Sequence, residues 1–172
     1  MNKIRQLEDS HNIEGKRVLL RADFNVPINA GAITENSRIE KVLPTIKSLI
    51  KKKAKIIIIS HLGRPKGKIV NELTLKPVAK KLSNYLNQNV FFLDKSIGKN
   101  VVEKSKTIPE GAVLLLENLR FSEEEESNSQ TFAQELSKNG DIYINESFSC
   151  SHRAHTSVSE ITKHIDSYAG KM

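Results

Sequence analysis

Arg38, Arg64, Arg120 and Arg153 each fall close behind a short apolar run or one loop beyond it, in polar company. Asp23 and Asn25 lie two apart in Asp23-Phe-Asn-Val-Pro27, and His61 and Arg64 three apart in His61-Leu-Gly-Arg-Pro65. Arg120 sits in Glu117-Asn-Leu-Arg-Phe121, and His152 and Arg153 are adjacent in Ser151-His-Arg-Ala-His155. A guanidinium is a planar fork of N–H donors matched to carboxylate and phosphate oxygens. Several of them with His61 and His152 suit a compact ligand carrying several negative charges. Asp23 and Asn25 add an acceptor and an amide, fit for a hydroxyl or for steadying an arginine. Taken singly, each residue has an ordinary use. An arginine after a strand is a surface ion-pair partner, Asp and Asn are turn formers, and a lone histidine is a packed or capping side chain. Their weight comes from shared position, which depends on the elements that carry them.

Five runs have strand length: Arg17–Ala22, Lys55–Ser60, Val90–Leu93, Ala112–Leu116 and Asp141–Asn145. They are continuously apolar and partly β-branched, the pattern of strands buried on both faces. Helical patterns lie between them. Ser37 to Lys52 carries Ile39, Val42, Leu43, Ile46, Leu49 and Ile50 at a 3.6-residue period, with Ser37 as cap and Glu40 completing a capping box. Thr74 to Leu86 repeats the pattern, Gln130 to Lys138 runs up to Gly140, and Ser157 to His164 reads as a short helix. The alternation predicts an α/β fold: an open, doubly wound, mostly parallel sheet with helices on both faces, Rossmann-like and three-layered. Such sheets bind ligands at the carboxyl ends of their strands. Arg38, Arg64, Arg120 and Arg153, four of the seven arginines, fall at that one predicted edge.

Other motifs carry less. Gly63-Arg-Pro-Lys-Gly-Lys68 has one residue too few between its glycines for a phosphate loop, and no Ser or Thr follows the Lys. No Gly-x-Gly-x-x-Gly fingerprint occurs. Cys150, His152 and His155 lack the further ligands of a zinc site, so no metal is expected. Cys150 has no base or helix start to activate it as a nucleophile. Glu123 to Glu126 reads as a solvated loop leading into a helix, and Lys51 to Lys53 as a basic helix end that suits the macrodipole.

The 172 residues suit one domain or one lobe of something larger. A single cysteine excludes an intramolecular disulfide framework. No apolar run approaches a membrane span, and Met-Asn-Lys-Ile-Arg-Gln-Leu-Glu-Asp9 has no apolar signal core. A cytoplasmic protein is the expectation. The formal charge of +7 is uneven: residues 1–80 hold 17 Lys and Arg against 7 Asp and Glu, residues 81–172 hold 10 against 13. A polyanion or a phosphorylated metabolite is thus a candidate partner.

Together, Asp23-Phe-Asn-Val-Pro27, Ser60-His-Leu-Gly-Arg-Pro65, Leu116-Glu-Asn-Leu-Arg-Phe121 and His152-Arg-Ala-His-Thr-Ser157 resemble phosphoglycerate kinase, in the family's order and at similar spacing. The resemblance covers residues from about 17 to 172 and implies that 1–172 is the N-terminal, 3-phosphoglycerate-binding domain of a glycolytic phosphotransferase. It implies Asp23 and Asn25 at the glycerate hydroxyl and carboxylate region, and Arg38 beside the carboxylate and the group in flight. It implies His61, Arg64, Arg120 and Arg153 around the substrate phosphate, with His152 as a secondary contact. MgATP or MgADP would belong to a C-terminal lobe that these residues do not include, so no cofactor is expected on this chain. The implied partners are 3-phosphoglycerate or 1,3-bisphosphoglycerate and that second lobe, in a monomeric enzyme without nucleic acid or membrane. Glu146-Ser147-Phe148 stands where the family commonly has Asp-Ala-Phe, Ser149 where it has Gly or a small residue, and Thr156 where Ala is common. These changes surround Arg153 and leave it in place.

Two readings of other classes stand beside this one. A basic nucleic-acid-binding module would show strongly salt-dependent binding, although six Phe, three Tyr and no Trp give few stacking platforms. A non-catalytic interaction fragment would associate through bare apolar surface.

Overall fold

Buried β-branched runs pair side by side when helices cover both of their faces, and this chain builds its sheet that way. The computed structural model describes residues 5, 6, 11–150 and 154–170, with Cys150 described by its backbone alone. The strands are β1 (Arg17–Arg21), β2 (Ile28–Asn29), β3 (Ala32–Ile33), β4 (Lys55–Ile59), β5 (Val90–Leu93), β6 (Val113–Leu116), β7 (Ile142–Asn145) and β8 (Ser167–Ala169). The helices are α1 (Ser37–Lys51), α2 (Lys76–Leu86), α3 (Lys99–Thr107), α4 (Glu123–Glu126) and α5 (Gln130–Ser137). Six strands form one sheet in the order β5-β6-β4-β1-β7-β8, and all five pairings are parallel. All five predicted strands are present.

Alternate residues of each strand feed separate cores. Val18, Leu20, Ile56 and Ile58 pack with Ile39, Ile46, Val78 and Leu82 of α1 and α2. Leu19, Ile57, Ile59 and Leu114 pack with Val101, Phe132 and Leu136 of α3 and α5. The sheet is therefore covered on both faces, as expected for a doubly wound fold. The chain leaves β1 toward β4 on one side and later returns to β7 on the other. The order thus reverses around β1, which is where open α/β sheets form their crevice.

Several local expectations fail for physical reasons. Ser37 is the first residue of α1 and does not cap it. Its amide donates to Glu35 Oε1 at 2.5 Å, Asn36 stands at the cap position without a side-chain bond, and Glu40 accepts from Tyr85 Oη at 2.6 Å. The capping box is absent because both partners bond elsewhere. Residues 157–164 form only a 3₁₀ turn, Glu160–Lys163. Glu123–Glu126 is a helical turn, and Glu125 within it is fully buried, not solvated. Three elements escaped the sequence. The polar α3 buries little beyond Val101 and Ser105. The three-residue strand β8, Ser-Tyr-Ala, has no β-branched run. The β2–β3 hairpin turns through Ala30 and Gly31, both at positive φ (47° and 76°), the backbone of a tight hairpin turn.

Candidate functional site

Three loops at the carboxyl ends of β1, β4 and β6 are stitched together by buried side chains. Ser60 Oγ accepts from the Phe24 amide at 3.0 Å and donates to the Ala22 carbonyl at 2.8 Å, joining the exits of β1 and β4. Asn118 joins the exits of β4 and β6. Its Oδ1 accepts from the amides of Leu62 (3.2 Å) and Arg120 (3.1 Å), and its Nδ2 donates to the carbonyls of Leu62 (2.7 Å) and Leu73 (2.9 Å). Glu117 accepts from Thr74 Oγ1 at 2.6 Å and from the Leu75 amide at 2.9 Å, anchoring the start of α2. Buried polar networks of this completeness fix loop geometry. Glu117 and Asn118 are therefore structural members of their motif.

On that frame Asp23, Asn25, Arg38, His61, Arg64 and Arg120, joined by Gly63 and Ser149, line one cavity of about 270 Å³. Arg153 and His152 lie outside the described residues. Asn25 is oriented from both ends. Its amide donates to Asp23 Oδ1 at 3.1 Å, and its Oδ1 accepts from the Gly63 amide at 2.9 Å. Gly63 is at φ +62°, and a Cβ there would come within 2.7 Å of Leu73 Cδ2, so this turn favours glycine. Arg120 is 3% exposed and donates through Nη1 to the Gly63 carbonyl at 2.8 Å, with Glu126 Oε1 3.7 Å from Nε. Arg64 is exposed, and among the described residues its side chain forms no ion pair.

Arg38 occupies the first turn of α1, where a cation opposes the helix dipole. Two carboxylates offset that conflict. Arg38 Nη1 pairs with Asp23 Oδ2. Glu35 is held below the usual carboxylate range, chiefly by hydrogen bonds from Ser37 and further by the charges of Arg38 and Lys41. Asp23 Oδ2 also accepts from Ser149 Oγ at 2.6 Å. Asp23, Arg38 and Ser149 border a second cavity as well, of about 540 Å³, which opens toward Ser37, Lys41, Glu146 and Phe148. Arg38 thus stands where two spaces meet.

The sequence missed two residues here. Ser149 appeared only as a departure from the resemblance. Arg21 ends β1 and is 1% exposed. Its Nη2 lies 2.8 Å from His61 Nδ1. A charge inside a strand buried on both faces was the available signal, because such a charge requires partners.

Comparison with known proteins identifies the family. The family description "Phosphoglycerate kinase" matches residues 7–172. A phosphoglycerate kinase of Bartonella bacilliformis is 50% identical over 168 residues, covering 98% of this chain and 42% of that protein. One from Finegoldia magna is 50% identical over 172 residues, covering 99% and 43%. Among solved structures, the Pyrococcus horikoshii enzyme superposes with a TM-score of 0.86 at 34% identity, covering 97% of this chain and 42% of that one. The Coxiella burnetii enzyme gives 0.82 at 35% identity, covering 94% and 40%. The chain spans about two fifths of the length of these relatives. On this match across nearly its whole length, the chain belongs to the phosphoglycerate kinase family.

Proposed function

We propose that residues 1–172 form the 3-phosphoglycerate-binding lobe of a phosphoglycerate kinase, and that this chain binds its substrate but transfers no phosphoryl group alone. The observation that carries the reading is the single cavity lined by three arginines, a histidine, Asp23 and Asn25. Exposed Arg64 and buried Arg120 provide guanidinium forks for the phosphate, with Arg153 as a third. Asn25, whose Oδ1 is already engaged, offers its Nδ2 group to the glycerate end, and Asp23 accepts from the hydroxyl. Arg38 borders both cavities, the place for a charge that serves the bound carboxylate and the arriving group together.

The carboxylate is already ionised near neutral pH and needs no general base. Catalysis then rests on alignment and on neutralising charge at the transferring group, the role of Arg38. Among the described residues no group of three His, Cys, Asp or Glu is placed to hold a metal ion. The family resemblance is what assigns Mg-nucleotide to the second lobe, and no step on this chain runs through it. No helix among the described residues is long and apolar enough to cross a membrane.

Isothermal calorimetry with 3-phosphoglycerate in low salt tests the binding, with an oligonucleotide as control. Saturable heat from 3-phosphoglycerate is expected. Folded protein that gives none overturns the reading, and heat from the oligonucleotide alone favours a nucleic-acid module. Measurable ATP formation by the purified chain overturns the second half of the proposal.

A further inference from the structure

We propose that Arg21 is a positioning residue that, from inside the core, holds His61 in the tautomer protonated at Nε2. An arginine side chain donates hydrogen bonds and accepts none. With Arg21 Nη2 2.8 Å from His61 Nδ1, Nδ1 must accept, and the ring proton must sit on Nε2. The polar hydrogen that His61 can offer an anion in the cavity is then Nε2–H, in a ring whose direction is set from behind.

Arg21 is itself held on its other edges. Nη1 donates to the Ala22 carbonyl, and Nε donates to Ser157 Oγ at 2.9 Å. Ser157 Oγ donates to Glu125 Oε1 at 2.5 Å, and the Ser157 amide to Glu125 Oε2 at 3.0 Å. Tyr143 Oη closes the group by donating to the Ser157 carbonyl at 2.6 Å. Every member is buried, so the guanidinium has no freedom to leave the imidazole. The charged groups on the cavity side of His61 are Asp23, Arg38, Arg64 and Arg120. Three of these four are donors like Arg21, so the oxygens of an anion bound there would face donors on the arginine sides, and Asp23 is the one acceptor among them.

The consequence for binding rests on the 3-phosphoglycerate reading; the tautomer does not. Nitrogen-15 NMR of the imidazoles in the 172-residue chain near neutral pH tests the tautomer directly. His61 should show a protonated Nε2 and a bare Nδ1. A proton on Nδ1, or on both nitrogens, overturns the proposal. In Arg21→Met the preference for Nε2–H should disappear and affinity for 3-phosphoglycerate should fall about tenfold, the loss of one charge-assisted contact. An unchanged tautomer and affinity in folded Arg21→Met also overturns it. Where that variant does not fold, addition of 3-phosphoglycerate to the unaltered chain decides. The His61 Nε2–H signal should move while Nδ1 stays bare. No change at His61 while other cavity residues respond overturns the inference, whereas no response at any cavity residue overturns the binding reading instead.

Discussion

Arg38 shows how a single residue can contradict a local rule for the sake of a site. It places positive charge in the first turn of a helix, where acidic groups are favoured, and the chain supplies Asp23 and Glu35 to tolerate it. The Asp23–Arg38 pair is not a stability device, because the Arg38 side chain is 42% exposed and such pairs contribute little to folding. Removing it should therefore separate function from fold. In an enzyme containing both lobes, Arg38→Ala should lower kcat by about 100-fold or more, as loss of charge stabilisation at a transferring group does. The melting temperature should stay nearly constant. Steady-state kinetics beside a thermal melt measures both, and near-normal turnover would remove Arg38 from the mechanism. Asp23 would remain ordered in that variant, since Ser149 Oγ and the Asn25 amide still donate to it.

Elements are held in register at the site by polar groups that strand and helix patterns do not reveal. The turn α4 is joined to the segment after β7 through Glu125, which accepts twice from Ser157. Burial raises the Glu125 pKa above its ordinary 4.5, and the attraction of Arg21 and the Ser157 hydrogen bonds offset this only in part. The unfolded chain therefore releases this proton at a lower pH than the folded chain. The contribution is fully present below about 4.5 and is lost as pH rises through the folded-state value, by up to about 1.4 kcal/mol per pH unit. Glu125→Gln has no proton to lose, and it can still accept from the Ser157 amide and donate to its hydroxyl. Chemical denaturation between pH 4 and 8 should show that decline in the original chain and not in the variant; parallel profiles would contradict the assignment. The same contrast explains what could be read in advance. Buried runs such as Lys55–Ile59 dictate strands by composition, and the order of elements then places Asp23, His61 and Arg120 on one edge without further information. Glu125 looked solvated because four consecutive glutamates give no hint of which one turns inward. Arg21 lies inside the run Arg17–Ala22, and its partners lie 40 and 136 residues away in the chain. Long-range polar satisfaction has no period, so only the folded arrangement displays it.

At the scale of the whole molecule the formal charge of +7 contains two populations with different consequences. Lys47 and Lys51 on α1 and Lys76 and Lys80 on α2 are exposed and line neither cavity that Arg38 borders. At physiological salt, exposed charges beyond about 8 Å are largely screened, so these lysines add to the general attraction for polyanions and little to recognition. Arg64 stands at the cavity itself and presents a directional fork. Changing the four lysines to Gln takes the formal charge from +7 to +3. That variant should bind oligonucleotides more weakly and with a shallower salt dependence, while its affinity for 3-phosphoglycerate at 0.15 M salt should change by less than about threefold. Arg64→Gln, a single charge, should cost about 10- to 100-fold in 3-phosphoglycerate affinity. Titration of both variants with both ligands separates diffuse charge from built recognition. If the four-lysine variant loses the metabolite as Arg64→Gln does, the cavity is only the deepest part of a basic surface. If the two losses divide as stated, the work of selecting a small phosphorylated acid belongs to a few guanidiniums that the parallel sheet brings to one edge.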